Sequence, residues 1–135
     1  MRLFGDSSAW LAFFDRRQPE HATVQRAVSV FSRQSQAIYV TDYVIDETLT
    51  LLMARVNHAT AVSCGDWLLR SPLVKVVRID VDAWDQAWEI FRRYDDKKFS
   101  FTDCTSFVVM QQHKLIDAFT FDHRFEQMGF RMWPA

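Results

Sequence analysis

The sequence predicts an α/β fold, an α/β/α sandwich whose central, mostly parallel sheet of roughly four to five strands is flanked by about seven helices. Three observations lead there. Short runs rich in β-branched and aromatic residues alternate with longer segments whose apolar residues recur at helical spacing, the pattern of βαβ units. The chain has 135 residues of which 49% are hydrophobic, enough for one filled core spanning 1–135. Only three Gly and three Pro leave little material for linkers, while twelve Phe and five Trp exclude a disordered chain.

The elements follow in order. Residues 2–5 are a short apolar run that ends at Asp6. Ser7 and Ser8 offer caps for a helix carrying Trp10, Leu11, Phe13 and Phe14. From Pro19 to about Gln34, Val24, Ala27, Val28 and Phe31 recur at helical spacing, and 37–40 reads as a second strand. A helix from Asp42 to about Val56 presents Val44, Ile45, Leu49, Leu52 and Val56 on one broad face. Another runs from about Ala59 to Arg70 and stops before Pro72. Residues 73–79 form a β-branched strand, and a helix from Val81 to Tyr94 is expected to bury Trp84, Ala87, Trp88 and Phe91. After the charged turn 95–98, Thr102 or Asp103 opens a helix reaching His113. A strand over 116–121 ends at Asp122, and a short helix and a strand over 130–133 close the chain.

No apolar run approaches the roughly 20 residues of a membrane span. Asp6 interrupts the N-terminus where a signal peptide would gather its apolar stretch, so a soluble cytoplasmic protein without membrane contact is expected. Cys64 and Cys104 form neither a metal-type pair nor a disulfide framework. The formal net charge of -1 is awkward for a nucleic-acid binder, whose affinity rests on neutralising phosphates. Basic residues do fall in short groups, Arg16-Arg17, Arg92-Arg93 and Lys97-Lys98. A basic rim around an acidic pocket and an ordinary mixed surface both satisfy that total.

In an open α/β sheet, sites gather beyond the carboxyl ends of the strands. Asp6 and Asp122 are each the first acid after an expected strand, Asp103 begins a helix leading into one, and Glu47 lies in the first two turns of another helix. Four such carboxylates converging on one edge repel one another, and a hard divalent cation, Mg2+ or Mn2+, relieves that repulsion with oxygen ligands alone. Such a site suits phosphodiester hydrolysis. Asp6, Asp103 and Asp122 taken singly also read as helix caps, and Glu47 is the least distinctive of the four. Periodicity does not choose between Glu47 and Asp46, which flank opposite edges of the same apolar arc.

Taken together and in order, four segments resemble the motifs of the PIN-domain family. Asp6-Ser7-Ser8-Ala9-Trp10-Leu11-Ala12 is similar to the family's opening. Thr41-Asp42-Tyr43-Val44-Ile45-Asp46-Glu47-Thr48-Leu49-Thr50-Leu51-Leu52 resembles its second acidic motif, with Glu47 as the acid. Ser100-Phe101-Thr102-Asp103-Cys104-Thr105-Ser106-Phe107 resembles the third. Ala118-Phe119-Thr120-Phe121-Asp122-His123-Arg124-Phe125, followed by Gln127-Met128-Gly129-Phe130, resembles the last. The likeness spans essentially the whole chain, and the chain's length matches the VapC-type toxins, which consist of a PIN domain alone.

That resemblance implies an endoribonuclease that hydrolyses RNA with metal-activated water, using Mg2+ or Mn2+. Asp6 and Asp103 would be the principal ligands, Glu47 and Asp122 would complete the pocket, and Ser8 and Thr120 would be supporting hydroxyls. His123 and Arg124 are candidates for RNA contacts. A cognate VapB-like antitoxin and a homodimer are the implied partners, with Trp10, Phe13, Phe14, Trp67 or Trp88 as interface candidates. An antitoxin would insert a basic or aromatic group at the acidic pocket. His21, His58 and His113 show no metal-ligand pattern. A PIN nuclease of RNA maturation and a non-catalytic RNA-binding PIN protein are the alternatives. A phosphatase or dehalogenase with Asp6 as nucleophile would want a second Asp where Ser8 stands.

Overall fold

The computed structural model describes residues 1–34 and 36–134. Its sheet has five strands, β1 (Leu3–Gly5), β2 (Ile38–Thr41), β3 (Val74–Val77), β4 (Asp117–Phe119) and β5 (Arg131–Trp133). They lie in the order β3-β2-β1-β4-β5, and every pairing is parallel. Helices α1 (Ser7–Phe14) and α2 (His21–Ser32) connect β1 to β2, and α3 (Asp42–Arg55) and α4 (His58–Arg70) connect β2 to β3. Helices α5 (Val81–Arg93) and α6 (Phe101–Gln112) lead to β4, and the single turn α7 (Arg124–Gln127) precedes β5. The expected sandwich is present, with the sheet parallel throughout the described residues.

Burial follows position in the sheet. Every residue of β1 and β2 is buried, whereas the edge strands β3 and β5 are partly exposed, as expected when helices cover a parallel sheet. Helix α6 is buried over Asp103–Met110 without a break, so it is a central helix with no solvent stripe. Phe107 on α6 meets Phe99, Phe125 and Phe130, tying the C-terminal turn to the centre. Gly129, at φ +90, takes the left-handed conformation that ends α7, and its N–H bonds the carbonyl of Glu126.

Trp10 is fully buried at the first crossover. Its ring stands edge-on to Phe119, 5.4 Å away at 83°, and lies 5.8 Å from Trp67. The indole rests directly on the backbone of β1: a Cβ placed on Gly5 would sit 2.6 Å from the ring. Glycine at the last position of β1 is thus a packing requirement of the residue five places on.

Several sequence expectations need correction. The strands expected over 73–79 and 116–121 are shorter, at Val74–Val77 and Asp117–Phe119, because the chain leaves the sheet once the neighbouring strand ends. Ser7 and Ser8 do not cap α1; Asp6 holds the N-cap position without a side-chain bond. Helix α6 opens at Phe101, because Ser100 caps it and Asp103 completes a reciprocal capping box from the third helical position. Trp84, Trp88 and Phe91 are 41%, 43% and 42% exposed, not buried. The small side chains Ala83 and Ala87 take the inner face of α5 instead, leaving the large rings on its flank. Trp10, read as an interface candidate, belongs to the core, while Phe13, Phe14 and Trp67 form a half-buried aromatic cluster.

Gly5→Ala is expected to destabilise the chain by about 2–3 kcal/mol, since a methyl group must displace a locked indole. Urea denaturation of the two proteins checks this, and an unchanged midpoint would show that Trp10 has room to move.

Candidate active site

The strand order reverses at β1, which pairs with β2 on one side and β4 on the other. Open α/β sheets bind ligands beyond the carboxyl ends of the strands at such a point. Asp6 leaves β1 there, and Thr120, Phe121 and Asp122 leave β4 beside it. The Asp6 N–H continues the ladder by donating to the carbonyl of Phe119 at 2.9 Å, so the carboxylate is placed by the sheet itself.

Two hydroxyls serve Asp6. Ser8 Oγ and Thr120 Oγ1 donate to the same oxygen, Oδ2, at 3.0 and 2.9 Å. Each hydroxyl accepts a backbone N–H in turn, Ser8 from Phe121 and Thr120 from Asp122, at 3.0 and 2.9 Å. Those amides point the hydroxyl protons at Asp6, so the 3.1 Å approach of the two hydroxyls to each other is not a third hydrogen bond. Both side-chain donors thus meet Oδ2, and the Ser7 N–H is a further, backbone donor that favours the ionised carboxyl.

Three further acids line the same cleft of about 320 Å3 with Asp6: Glu47, Asp103 and Asp122. Glu47 is on α3 and accepts a 2.5 Å hydrogen bond from Ser7 Oγ. Asp103 is 6% exposed, and its Oδ2 accepts the Ser100 N–H of the capping box at 2.9 Å. Asp122 accepts the Arg124 N–H at 2.9 Å and pairs with the Arg124 guanidinium, again at 2.9 Å. Arg55, Lys98 and Arg124 supply cations around the four acids.

The carboxylates shift one another. Burial pushes Asp6 from 3.8 up to about 6; the Thr120 hydroxyl opposes this most and the charge on Asp103 adds to it. Asp103 is raised as well, first by burial and then by Asp122, against the Ser100 N–H and Arg124. Arg124 is held above its usual value by its bond to Asp122 and by the charges of Asp122, Asp103 and Asp6. The cleft therefore concentrates negative charge beyond what its hydrogen bonds balance.

An all-oxygen donor set with excess negative charge fits a hard divalent cation. Among the described residues, no three Asp, Glu, His or Cys are gathered tightly enough to enclose an ion by themselves. That spacing suits Mg2+ or Mn2+ held by one or two carboxylates with water completing the shell. The carboxylates of the cleft that could hold such an ion are those of Asp6, Asp103, Glu47 and Asp122.

The structure thus brings Asp6, Glu47, Asp103, Asp122, Ser8, Thr120 and Arg124 together. Asp46 is exposed on another face of α3, beside Asp42 and Tyr43. His123 turns outward, 80% exposed in its side chain, and pairs with Glu126 rather than lining the cleft. Of the basic groups, Lys98 reaches the cleft, whereas Lys97 pairs with Asp96 and Arg92 with Glu89. Ser7 and Arg55 were missed from sequence. Glu47, Leu51 and Arg55 line the cleft at a spacing of four on α3, and that spacing was the available signal. Both cysteines are buried and free, with burial pushing their thiols up to about 12 and about 11.

The raised Asp6 value sets a sign for stability. The native chain keeps a proton that the unfolded chain gives up, so this contribution is full below pH 3.8 and is lost as pH rises through about 6. Asn at this position carries no charge to bury. Without divalent cations, Asp6→Asn is expected to stabilise the chain at pH 7.5 by roughly 1–3 kcal/mol, with no gain at pH 4. Denaturant titrations in EDTA at the two pH values decide it, and equal stability at pH 7.5 would remove the case for a desolvated carboxylate.

Comparison with known proteins identifies the family. The PIN-domain profile matches residues 3–131. The chain is 34% identical over 128 residues to the 23S rRNA-specific endonuclease VapC20 of Mycobacterium tuberculosis, covering 95% of each. It is 29% identical over 134 residues to a VapC ribonuclease of Archaeoglobus fulgidus, covering 96% of this chain and 84% of that one. The crystal structure of the M. tuberculosis VapC20, described as a sarcin-ricin loop cleaving toxin, superposes with a TM-score of 0.86 at 95% coverage of both. VapBC2 of Rickettsia felis, at 8% identity, shares the fold with a TM-score of 0.70 over 98% of this chain and 97% of that one. The chain belongs to the PIN-domain family, in its VapC branch.

Proposed function

We propose that this chain, as a single PIN-like domain over 1–135, is a divalent-metal-dependent endoribonuclease and the toxin of a type II VapBC pair. The observation that carries the reading is the convergence of four carboxylates from four separate segments on one cleft. Asp6 and Asp103 are the principal ligands for Mg2+ or Mn2+, and Glu47 and Asp122 complete the pocket. A bound divalent ion supplies positive charge to the scissile phosphate and lowers the pKa of the attacking water. Ser8 and Thr120 keep Asp6 aimed, and Arg55 and Lys98 meet the flanking phosphates. The names of its relatives make ribosomal RNA the first substrate to test.

No helix among the described residues is long and apolar enough to cross a membrane, and the cytoplasm is the proposed site of action. A VapB-like antitoxin is the proposed regulator, and the toxin itself is proposed to be a homodimer. The exposed flank of α5 supports the dimer. Val81, Trp84, Trp88 and Phe91 follow the alternating three-and-four spacing of a coiled-coil seam, and the rings of Trp84, Trp88 and Phe91 stack in succession. Asp80, Asp82 and Asp85 crowd the N-terminal end, and Arg92 and Arg93 the C-terminal end. Two copies of α5 lying antiparallel across a two-fold axis would bury the rings and set those acids opposite those bases.

Purified chain is expected to cut ribosomal RNA with Mg2+ or Mn2+, to stop in EDTA, and to lose at least about 100-fold in kcat/KM on Asp103→Asn. Cutting that persists in EDTA or in the variant would place the reaction elsewhere. No cutting together with no Mn2+ binding would favour a non-catalytic RNA-binding protein. Trp88→Glu is expected to convert the dimer to a folded monomer in analytical ultracentrifugation; a dimer that survives it would exclude the α5 face.

A further inference from the structure

The acidic cleft already contains a cation belonging to the chain. Arg124 is the first residue of α7 and grips both oxygens of Asp122, one through its backbone N–H and the other through Nη1, each at 2.9 Å. Its Nε lies 4.0 Å from Oδ2 of Asp103. One guanidinium therefore faces two of the four acids and feels the charge of a third, Asp6. The Asp103 oxygen nearest Arg124 is the one engaged in the capping box, so the contact adds charge balance without being needed for the helix start. The Arg124 side chain is 40% exposed, on a helix of one turn, and so has room to leave.

A divalent ion and a guanidinium repel each other, and both cannot be served by Asp103 and Asp122 at short range. Once released, Arg124 would join Arg55 and Lys98, which line the same cleft. We propose that Arg124 is a placeholder cation, which balances Asp103 and Asp122 in the metal-free chain, gives way to the divalent ion, and then binds a phosphate of the substrate. This rests on the reading of the cleft as a divalent-cation site. Two consequences follow. Metal affinity is lowered by the work of displacing Arg124, and metal and RNA each strengthen the binding of the other, because the phosphate takes up the displaced charge.

Calorimetric titration of Mn2+ into the full-length chain and its Arg124→Gln variant tests this without turnover. The variant is expected to bind Mn2+ roughly 3–10-fold more tightly, the size of a partly exposed ion-pair competition. If Arg124 only braced the Asp122 turn, its loss would loosen that carboxylate and weaken Mn2+ binding, the opposite sign. Equal or weaker binding by the variant, with the unaltered chain still binding, overturns the placeholder and leaves the metal site standing. Failure of both proteins to bind Mn2+ overturns the two together. A measurement on the unaltered chain serves if the variant does not fold. The Arg124 Nε–H signal in a nitrogen-15 NMR spectrum should shift, and exchange faster with water, as Mg2+ is added. A signal unmoved at saturating Mg2+ overturns the proposal.

Discussion

A carboxylate buried at the carboxyl edge of a parallel sheet is the constraint on which the rest of the structure depends. Asp6 is 3% exposed, and an unpaired charge in such a place is among the costlier things a fold can hold. The chain limits the cost with two hydroxyls, one supplied by α1 and the other by the exit of β4, more than a hundred residues later. Their orientation depends on backbone amides at Phe121 and Asp122, so it depends on β4 lying beside β1. That adjacency requires β2, β3 and their helices to be placed on the other side of β1. It also requires the indole of Trp10 to seat on Gly5, one residue before the carboxylate.

Electrostatics explains how a chain of nearly neutral charge suits a phosphate-bearing substrate. The balance is spatial: four acids line one cleft, and Arg55, Lys98 and Arg124 line it too. Arg124 sits among the acids and offsets part of their charge, while Arg55 and Lys98 add positive charge to the same cleft. Such an arrangement is costly to the empty chain, as the upward shifts of Asp6 and Asp103 record. Sites of this kind commonly give up stability in exchange for function.

The remaining surfaces divide by direction. A groove of about 940 Å3 lies near the amino ends of the strands, lined by Phe13, Val28, Trp67 and Leu73 with Arg2 and Lys75 among its walls. It is larger than the acidic cleft, and among the described residues its lining mixes apolar groups with amides, hydroxyls and two cations. The flank of α5 is a third surface, beside the entry to α6, where Phe101 packs against Trp84, Trp88 and Phe91. Burial of Ala83 and Ala87 lets α5 approach α6 closely and leaves the large rings outside.

The order of strands and helices, and the acids of the cleft, were legible in the sequence because they depend on local pattern. Apolar spacing, β-branched runs and the four family motifs are all read along the chain. Which side of an apolar arc meets the core is not a local property, so Trp84, Trp88 and Phe91 were assigned inward although the helix turned its alanines there. The choice of Glu47 over Asp46 came from resemblance, and only packing shows that Glu47 lines the cleft with Asp6 while Asp46 is exposed outside it. Only the tertiary structure decided that Ser8 and Thr120 share one oxygen of Asp6, that Arg55 joins the cleft, and that Arg124 lies among the acids while His123 turns away. These are contacts between groups far apart in sequence or a single residue out of phase, and they exist only once the sheet brings β1 and β4 side by side.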